Sequence, residues 1–202
     1  MAENYNPHPQ GYRPEWYTPT HIIQFAEYVF GNRADLDPAS CASANNIIQA
    51  RRYFTEQDDG LRQIWMTDQR NPTVWCNPPY GRGNTVYKWW RKMKAEFDAG
   101  HFHAGIFLAN SKTETRWFQE ALDTCPVLLI RGRLSFWRAE DAPTQTGHFG
   151  TALVLLSRPD GTPASYNGSP TPYNAADLAG GDPALDRFID RGRSLGQVVI
   201  AV

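Results

Sequence analysis

The amino-acid sequence predicts an α/β fold in which helices flank a twisted, mostly parallel sheet. Short apolar runs recur along the chain with turn residues between them, and helical patterns separate several of these runs. Strands that alternate with helices favour parallel pairing, because a parallel connection needs a crossover long enough to hold a helix. The 202 residues suffice for one domain with a substantial core, and 41% apolar residues are an ordinary globular share.

The pattern predicts the elements in the following order. A polar opening segment, MAENYNPHPQGYRPE, predicts a flexible arm over residues 1–15 ahead of a single domain over 16–202. Apolar residues at helical spacing after Thr-Pro-Thr predict a helix over Thr20–Phe30, and similar spacing predicts helices over 85–99 and 115–122. Strands are predicted at 34–38, 74–77, 104–109, 127–130, 151–156 and 198–202.

A segment rich in Gly, Pro, Ser and Asn covers residues 158–184. It predicts a long surface loop or insertion before a final helix and strand.

Composition excludes several classes of protein. A formal net charge of -1 means that a nucleic-acid site requires local clustering of basic residues. Three cysteines form no disulfide framework or zinc ligand set, which favours a reducing, intracellular setting. His101 and His103 have the spacing of a metal-binding pair but lack an evident third ligand, so we interpret them as the entrance of a strand and expect no metal. No apolar run approaches the roughly 18 residues of a membrane span, and we expect a cytoplasmic protein without a membrane partner.

The sequence Asn77-Pro78-Pro79-Tyr80 directly follows the predicted strand over 74–77. Two prolines end regular structure there and hold the backbone stiff, so that the Asn77 amide oxygen and the Pro78 carbonyl present two acceptors to one spot. Two such acceptors suit a planar amino group on an aromatic ring, because they polarise its N–H bonds and favour attack by its lone pair. Tyr80 offers a ring to stack on the base. The alternative is a proline-capped strand end in which Asn77 merely makes a turn.

Six short motifs occur in order through most of the chain up to about Leu156. They are Tyr17-Thr18-Pro19, Leu36-Asp37-Pro38-Ala39-Ser40, Tyr53-Phe54-Thr55, Asp58-Asp59-Gly60-Leu61, Trp75-Cys76-Asn77-Pro78-Pro79-Tyr80 and Arg131-Gly132-Arg133-Leu134-Ser135-Phe136. This ordered set resembles the phage-type DNA adenine-N6 methyltransferases. The Asn-Pro-Pro-Tyr motif alone is less specific, since protein-glutamine and guanine-amino methyltransferases share it.

The resemblance implies a Rossmann-like methyltransferase fold that uses S-adenosylmethionine. The target adenine would be flipped out of the duplex, since its amino group is inaccessible inside the stack. Asn77 and Pro78 would hold that amino group, Pro79 would complete the stiff turn and Tyr80 would stack on the base. The methyl group would pass directly, without a covalent intermediate, so we interpret Cys76 as a buried strand cysteine.

The resemblance also implies a set of cofactor-binding residues. Tyr17, Thr18 and Pro19 would lie against the methionine part, and Asp58 or Asp59 would bind the adenine of the cofactor. The full set is Tyr17, Thr18, Pro19, Asp37, Pro38, Ala39, Ser40, Asp58, Asp59, Leu61 and Asn77. The chain departs from many methyltransferases in having small side chains after Asp37 in place of a glycine-rich loop. Asp58-Asp59-Gly60 by itself is also compatible with a simple turn.

Basic residues near the proposed turn predict where DNA would bind. Arg82 lies between two glycines, and the stretch YKWWRKMK that follows is the densest basic segment. The predicted DNA contacts are Arg82, Lys88, Arg91, Lys92, Arg131 and Arg133. The alternative for the helical lysines is a solvated helix face with the tryptophans turned inward.

The sequence therefore predicts a small phage or prophage-like adenine methyltransferase that acts on DNA. Two alternatives stay open. A protein of the same fold could methylate RNA or a protein glutamine, and a catalytically silent homologue could bind nucleic acid without methylating it.

Overall fold

The structure, a computed structural model, describes residues 17–80, 84–137, 145–147, 149–159 and 181–200. The predicted arm over 1–15, the predicted DNA contact Arg82 and residues 160–180 of the predicted loop lie outside these residues. The proposed single domain over 16–202 therefore stays a prediction. The predicted loop ends earlier than 184, because a helix begins at Pro183.

Five helices and nine strands occur in the described residues. The helices are α1 (Thr20–Phe30), α2 (Ala42–Ile48), α3 (Thr85–Asp98), α4 (Arg116–Thr124) and α5 (Pro183–Leu195). The strands are β1 (Leu36–Asp37), β2 (Arg52–Tyr53), β3 (Thr73–Cys76), β4 (Ala104–Asn110), β5 (Val127–Ile130), β6 (Ser135–Phe136), β7 (Gln145–Thr146), β8 (Thr151–Leu156) and β9 (Gly196–Val199).

Seven of these strands form one sheet in the order β2-β1-β3-β4-β8-β5-β9. The first four are parallel to one another. Strand β8 runs antiparallel to both β4 and β5, so β5 points the same way as β4, and β9 runs antiparallel to β5. The mostly parallel α/β sheet predicted from the sequence is confirmed. Its topology brings the carboxyl ends of β1, β3, β4 and β5 to one edge, which is where ligands bind in such sheets.

Each face of the sheet is covered by a separate apolar cluster. Alternate residues of β3 point to opposite faces, so Trp75 packs in one cluster and Val74 in the other. Helices α1 and α5 cover the first face, where the rings of Phe25 and Phe188 lie 5.6 Å apart. Helices α3 and α4 cover the second face, and both tryptophans of the basic segment, Trp89 and Trp90, are buried there.

Some predicted bounds differ from those observed. The last strand begins at Gly196 and not at 198, since a Cβ at Gly196 would lie 1.9 Å from the carbonyl oxygen of Leu129 and only glycine permits pairing that close. Helix α2 was not predicted, because its sequence, ASANNII, has little helical apolar spacing. Its first turn is capped by the Cys41 sulfur, which accepts from the amide of Ala44 at 3.4 Å.

Glu96 on α3 is a buried carboxylate that joins three parts of the chain. Its Oε1 accepts from the Lys92 ammonium at 2.5 Å, and its Oε2 accepts from the Trp65 amide at 2.8 Å. The same Oε2 lies 2.6 Å from Nδ1 of His101. Burial acts to raise the pKa of Glu96, but Lys92, the Trp65 amide and His101 together hold that pKa below its usual range. The carboxylate therefore fastens the segment before β3 to α3.

Glu96→Gln is expected to lower the free energy of unfolding by about 2 kcal/mol at pH 7, because a neutral amide satisfies Lys92 and His101 less well. The lowered pKa means that the stabilisation is present above the ordinary carboxyl pKa of about 4.3 and is lost as the pH falls further. Chemical denaturation at pH 7 and pH 3.5 measures both effects. Glu114→Gln, at an exposed position, is the matched control. Equal stability of Glu96→Gln and wild type at pH 7 would contradict the stabilising role of the Glu96 contacts.

Candidate active site

Three of the predicted motifs meet at the carboxyl edge of the sheet. Residues 77–80 follow β3, residues 38–40 follow β1, and residues 58–61 follow β2 after a short turn. Because β2, β1 and β3 are adjacent and parallel, these segments lie side by side. The N-terminal motif, Tyr17 to Pro19, joins them through the contacts described next.

The Asn77 side chain is held in one orientation by Thr18. Its Nδ2 donates a hydrogen bond to Thr18 Oγ1 at 3.2 Å, and Thr18 is buried. Because the amide nitrogen is directed to this hydroxyl, the buried oxygen Oδ1 lies at the other corner of the planar amide. A contact between two residues 59 positions apart in the chain thus holds the amide in place.

Trp137, just beyond β6, holds the N-terminal motif in place. The backbone of Tyr17 donates to Trp137 O at 2.9 Å and accepts from Trp137 N at 3.3 Å. Their rings lie 4.8 Å apart, and the Trp137 indole donates to Thr18 O at 3.4 Å. Phe136, the residue before it, belongs to the first core cluster, and Trp137 packs on Tyr17.

Two residues of the motif, Pro78 and Tyr80, have different surroundings. Pro78 is buried, whereas Tyr80 is 37% exposed. The Tyr80 hydroxyl points inward and donates to the carbonyl of Leu108 at 3.5 Å. Burial of this hydroxyl end raises the pKa of Tyr80, with a smaller contribution from the nearby Cys76. The phenol is therefore a neutral anchor, and its ring remains accessible for stacking.

Asp37 is a buried carboxyl at the end of β1. It is 1% exposed, and its Oδ1 accepts from the amide of Ala39 at 3.0 Å. Burial raises the pKa of Asp37 to about 7, although the Ala39 amide acts in the opposite direction. The Ser40 amide donates to Phe54 O at 2.9 Å, which ties this turn to the end of β2. A carboxyl that titrates near neutrality in this position is typical of a functional site.

The two adjacent aspartates after β2 do different things. Asp58 is exposed, and its Oδ2 accepts from both the amide and the hydroxyl of Thr55, at 2.8 and 2.7 Å. These two bonds hold the pKa of Asp58 below its usual range, and the bond from the amide has the larger effect. Asp59 has a left-handed backbone, with φ 53°, and pairs with Arg62 at 3.1 Å. Leu61 packs partly buried on the second core cluster. The turn is thus closed by its own side chains, and Asp58 is the more accessible acceptor.

Gly60 lets this turn touch the turn after β1. A Cβ built at Gly60 would lie 2.0 Å from the Pro38 carbonyl oxygen and 3.0 Å from the Trp89 ring. The Gly60 carbonyl also accepts from the Trp65 indole at 2.8 Å. Direct backbone contact therefore joins the Asp37 and Asp58 motifs.

Gly60→Ala is expected to separate the two turns and to lower the free energy of unfolding by about 3 kcal/mol, since neither backbone can move without strain. Thermal or urea unfolding measures the loss. Gly147→Ala is the matched control, because its Cβ would find only ordinary contacts, the nearest at 3.5 Å. Similar stability of the two variants would show that the contact is not required.

Cys76 agrees with its interpretation as a core residue. Its side chain is 0% exposed, and burial raises the pKa of its thiol well above the ordinary range. The charge of Asp37 raises the thiol pKa further. A buried neutral thiol is a poor nucleophile.

The predicted DNA contacts fall in two places among the described residues. Lys88 and Arg91 are exposed on α3, on the side opposite the buried tryptophans. This exposure fits DNA contact and a merely solvated helix face equally well. Lys92 on the same helix is engaged by Glu96, which the sequence did not reveal. Arg131 and Arg133 are exposed beyond the carboxyl end of β5. Arg82 lies outside the described residues.

The described parts of the chain contain no group of three His, Cys, Asp or Glu side chains arranged to hold a metal ion. His101 instead contacts Glu96. None of the described helices is long and apolar enough to cross a bilayer.

The residues at this edge suit a ligand that carries hydroxyl and amino groups. Asp37 and Asp58 offer carboxylate oxygens to hydroxyl or amino groups, and the Ser40 hydroxyl is buried beside Asp37. The close contact between Gly60 and Pro38 leaves no side chain between the two turns. The site thus offers mainly hydrogen-bond acceptors, which match the N–H and O–H groups of such a molecule.

An α/β domain with an Asn-Pro-Pro-Tyr turn and a buried aspartate at the carboxyl edge of its sheet has the architecture of a methyltransferase. A family model described as DNA N-6-adenine-methyltransferase (Dam) matches residues 7–174. The chain belongs to this family, and membership implies a methyl donor.

A DNA N-6-adenine-methyltransferase of Escherichia phage T1 is 31% identical to this chain over 166 residues. The match covers 74% of this chain and 65% of that protein. The chain thus spans about two thirds of the length of this curated relative.

Proposed function

We propose that this protein transfers a methyl group from S-adenosylmethionine to the N6 amino group of adenine in DNA. The observation that carries the proposal is the hydrogen bond from Asn77 to Thr18, because it orients the amide of the Asn-Pro-Pro-Tyr motif. The family match and the position of this motif at the ligand-binding edge of the sheet support the same reaction.

The chain's residues prepare the adenine amino group for attack. Once the base is flipped out of the duplex, Asn77 Oδ1 and the Pro78 carbonyl each accept one N–H of that group. Pro79 keeps the turn stiff, and the exposed Tyr80 ring stacks on the base, which is worth about 1–3 kcal/mol. Two acceptors placed in advance favour the geometry in which the nitrogen lone pair is available, as preorganised dipoles do in other active sites.

The donor supplies an activated methyl group on sulfur. Attack by the amino nitrogen on this methyl carbon would break the carbon–sulfur bond, and the surplus proton of the methylated amine would pass to solvent. No side chain of the site forms a covalent bond to the base, in keeping with the neutral, buried thiol of Cys76.

The proposed donor site consists of the segments around Asp37 and Asp58. Asp37 and Asp58 accept hydrogen bonds from the donor, while Tyr17 to Pro19 cover it from the side of Trp137. The remaining members of this proposed site are Pro38, Ala39, Ser40, Asp59, Leu61 and Asn77.

The test is a methylation assay with labelled S-adenosylmethionine and mixed-sequence duplex DNA, followed by digestion to nucleosides. Labelled N6-methyladenine is the expected product. Label transferred to RNA or to protein glutamine in parallel reactions, and not to DNA, would replace the proposed substrate. Donor or DNA binding without any transfer would indicate a silent nucleic-acid-binding homologue.

A further inference from the structure

Basic side chains in this protein fall into partnered and unpartnered groups. Many form ion pairs or lie over aromatic rings, namely Arg33, Arg51, Arg52, Arg62, Lys92, Lys94, Lys112, Arg116, Arg158 and Arg191. Arg131, Arg133 and Arg193 are all exposed. Within the described ranges, none of these three has a carboxylate within 4.0 Å or a ring beneath its guanidinium. Their charge is therefore available to a ligand.

Two of these arginines line the same cleft. Arg131 follows β5 and Arg193 lies in the last turn of α5, and between them is an open cleft of about 460 Å³. Ile189 and Val198 supply apolar wall, and Gln197 adds an exposed amide. Among the described residues, none that lines this cleft is acidic. Its character is that of an anion site.

The backbone around the cleft is held firmly. The Arg131 amide donates to Leu195 O at 2.9 Å, and Ile130 pairs with Gly196. The missing side chain of Gly196 allows this pairing, since a Cβ there would overlap the Leu129 carbonyl. The two arginines therefore extend from a fixed frame, although they are 62 positions apart in the chain (193 minus 131).

The cleft runs along β9, and its Arg131 and Gly196 end lies at the same end of the sheet as Asn77. Strands β4 and β8 separate β3 from β5, so the distance across the edge is three strand spacings, or roughly 14 Å. At about 3.4 Å for each base pair, this corresponds to roughly four base pairs of duplex. A duplex that runs along these strand ends with a flipped base at Asn77 would bring backbone phosphates over the Arg131 end of the cleft.

From these observations we propose that the Arg131–Arg193 cleft binds the phosphate backbone of DNA flanking the target base. The inference rests on the proposed function and adds a contact, Arg193, to it. Guanidinium groups bind phosphate oxygens in a bidentate manner, and such contacts fix the position of the duplex without reading its sequence. The negative end of the α5 dipole also attracts Arg193, but it does not account for a second arginine facing it across the cleft.

Arg193→Gln tests the cleft through the salt dependence of DNA binding. Fluorescence anisotropy with a labelled duplex of about 30 base pairs gives the slope of log K against log salt concentration. Loss of one phosphate contact is expected to reduce the magnitude of this slope by about 0.9 and to weaken binding roughly 5- to 10-fold at about 100 mM salt. Arg193→Lys keeps the charge and is expected to retain most of the wild-type slope.

Arg191→Gln is the matched control, because Arg191 lies on the same helix but over the Tyr28 ring, 5.7 Å from its centre. It removes the same charge and is expected to leave the slope unchanged. Melting curves verify that all variants fold. We expect them to fold because both arginines are exposed.

The possible outcomes separate this inference from the proposed function. Suppose that the wild-type protein methylates DNA. An unchanged slope for Arg193→Gln, or an equal drop for Arg191→Gln, would then overturn the proposed role of the cleft and leave the proposed function standing. A wild-type protein that binds no DNA would overturn both. If the wild type sediments as a dimer and Arg193→Gln as a monomer, the cleft is an interface between copies and not a DNA site.

Discussion

Asn77→Ala is expected to reduce the rate of methyl transfer by roughly 10²- to 10³-fold, which is the usual effect of removing one preorganised polar group from an active site. The variant loses the Oδ1 acceptor for the amino group, and nothing nearby on the rigid Pro78-Pro79 step can move to replace it. Because the lost interaction strengthens as the amine is activated, the effect should fall mainly on kcat. Single-turnover assays with labelled donor measure it.

Two further variants show which feature of Asn77 matters. Asn77→Asp retains an acceptor oxygen and is expected to keep far more activity than Asn77→Ala. Thr18→Val removes the hydroxyl that accepts from Asn77 Nδ2 at 3.2 Å. Since Thr18 is a positioning residue, Thr18→Val is expected to reduce the rate of methyl transfer about 10-fold, mainly because the amide is misoriented. This factor corresponds to a hydrogen bond worth about 1 kcal/mol or slightly more. A rate for Asn77→Ala within about 10-fold of wild type would refute the proposed role, because it falls well short of the lower limit of about 10²-fold.

Asp37→Asn is expected to remove a pH dependence of stability on the order of 4 kcal/mol. Burial raises the pKa of Asp37 to about 7 in the folded protein, whereas an unfolded aspartate titrates near 3.9. Between these values the folded state binds more protons than the unfolded state, so the free energy of unfolding falls as the pH rises. The stabilisation is fully present below about pH 4 and is lost as the pH passes through about 7.

Urea denaturation of both proteins at several pH values between about 4 and 8 measures this effect. Other carboxyl groups, Glu96 among them, titrate in both proteins, and so the difference between the two curves isolates Asp37. The wild type should lose stability relative to Asp37→Asn as the pH rises. Asp123→Asn, at an exposed position, is expected to run parallel to wild type. Parallel curves for wild type and Asp37→Asn would show that Asp37 titrates normally.

The elements of this fold that could be predicted are those with strong local signals. Helix α1 begins at the second threonine of Thr-Pro-Thr and matches its predicted bounds, and strands β5 and β8 match theirs as well. Helix α2 could not be predicted in this way, since its stability depends on the Cys41 cap and on the burial of Ile48 against α1 and the sheet. Strand β2 has only two residues and exists because β1 pairs with it.

The candidate active site likewise has features that the sequence reveals and features that only tertiary contacts reveal. The motif Asn77 to Tyr80 was visible as a sequence of unusual stiffness, and its place at a strand end followed from the apolar run before it. Its partner Thr18 could not be found by spacing, because the bond between them crosses 59 positions. Lys92 looked like one of several free cations, yet a buried carboxylate one helical turn away engages it. Arg193 carried no local signal beyond a basic residue at a helix end.

By itself, the sequence determined the fold class, the Asn-Pro-Pro-Tyr turn and the family to which the chain belongs. These properties depend on the apolar period and on proline and glycine chemistry, which act over a few residues. Only the tertiary structure decided the orientation of the Asn77 amide, the protonation of Asp37 and the partners of each basic side chain. Such properties depend on burial and on contacts between distant segments, and a linear sequence records neither directly.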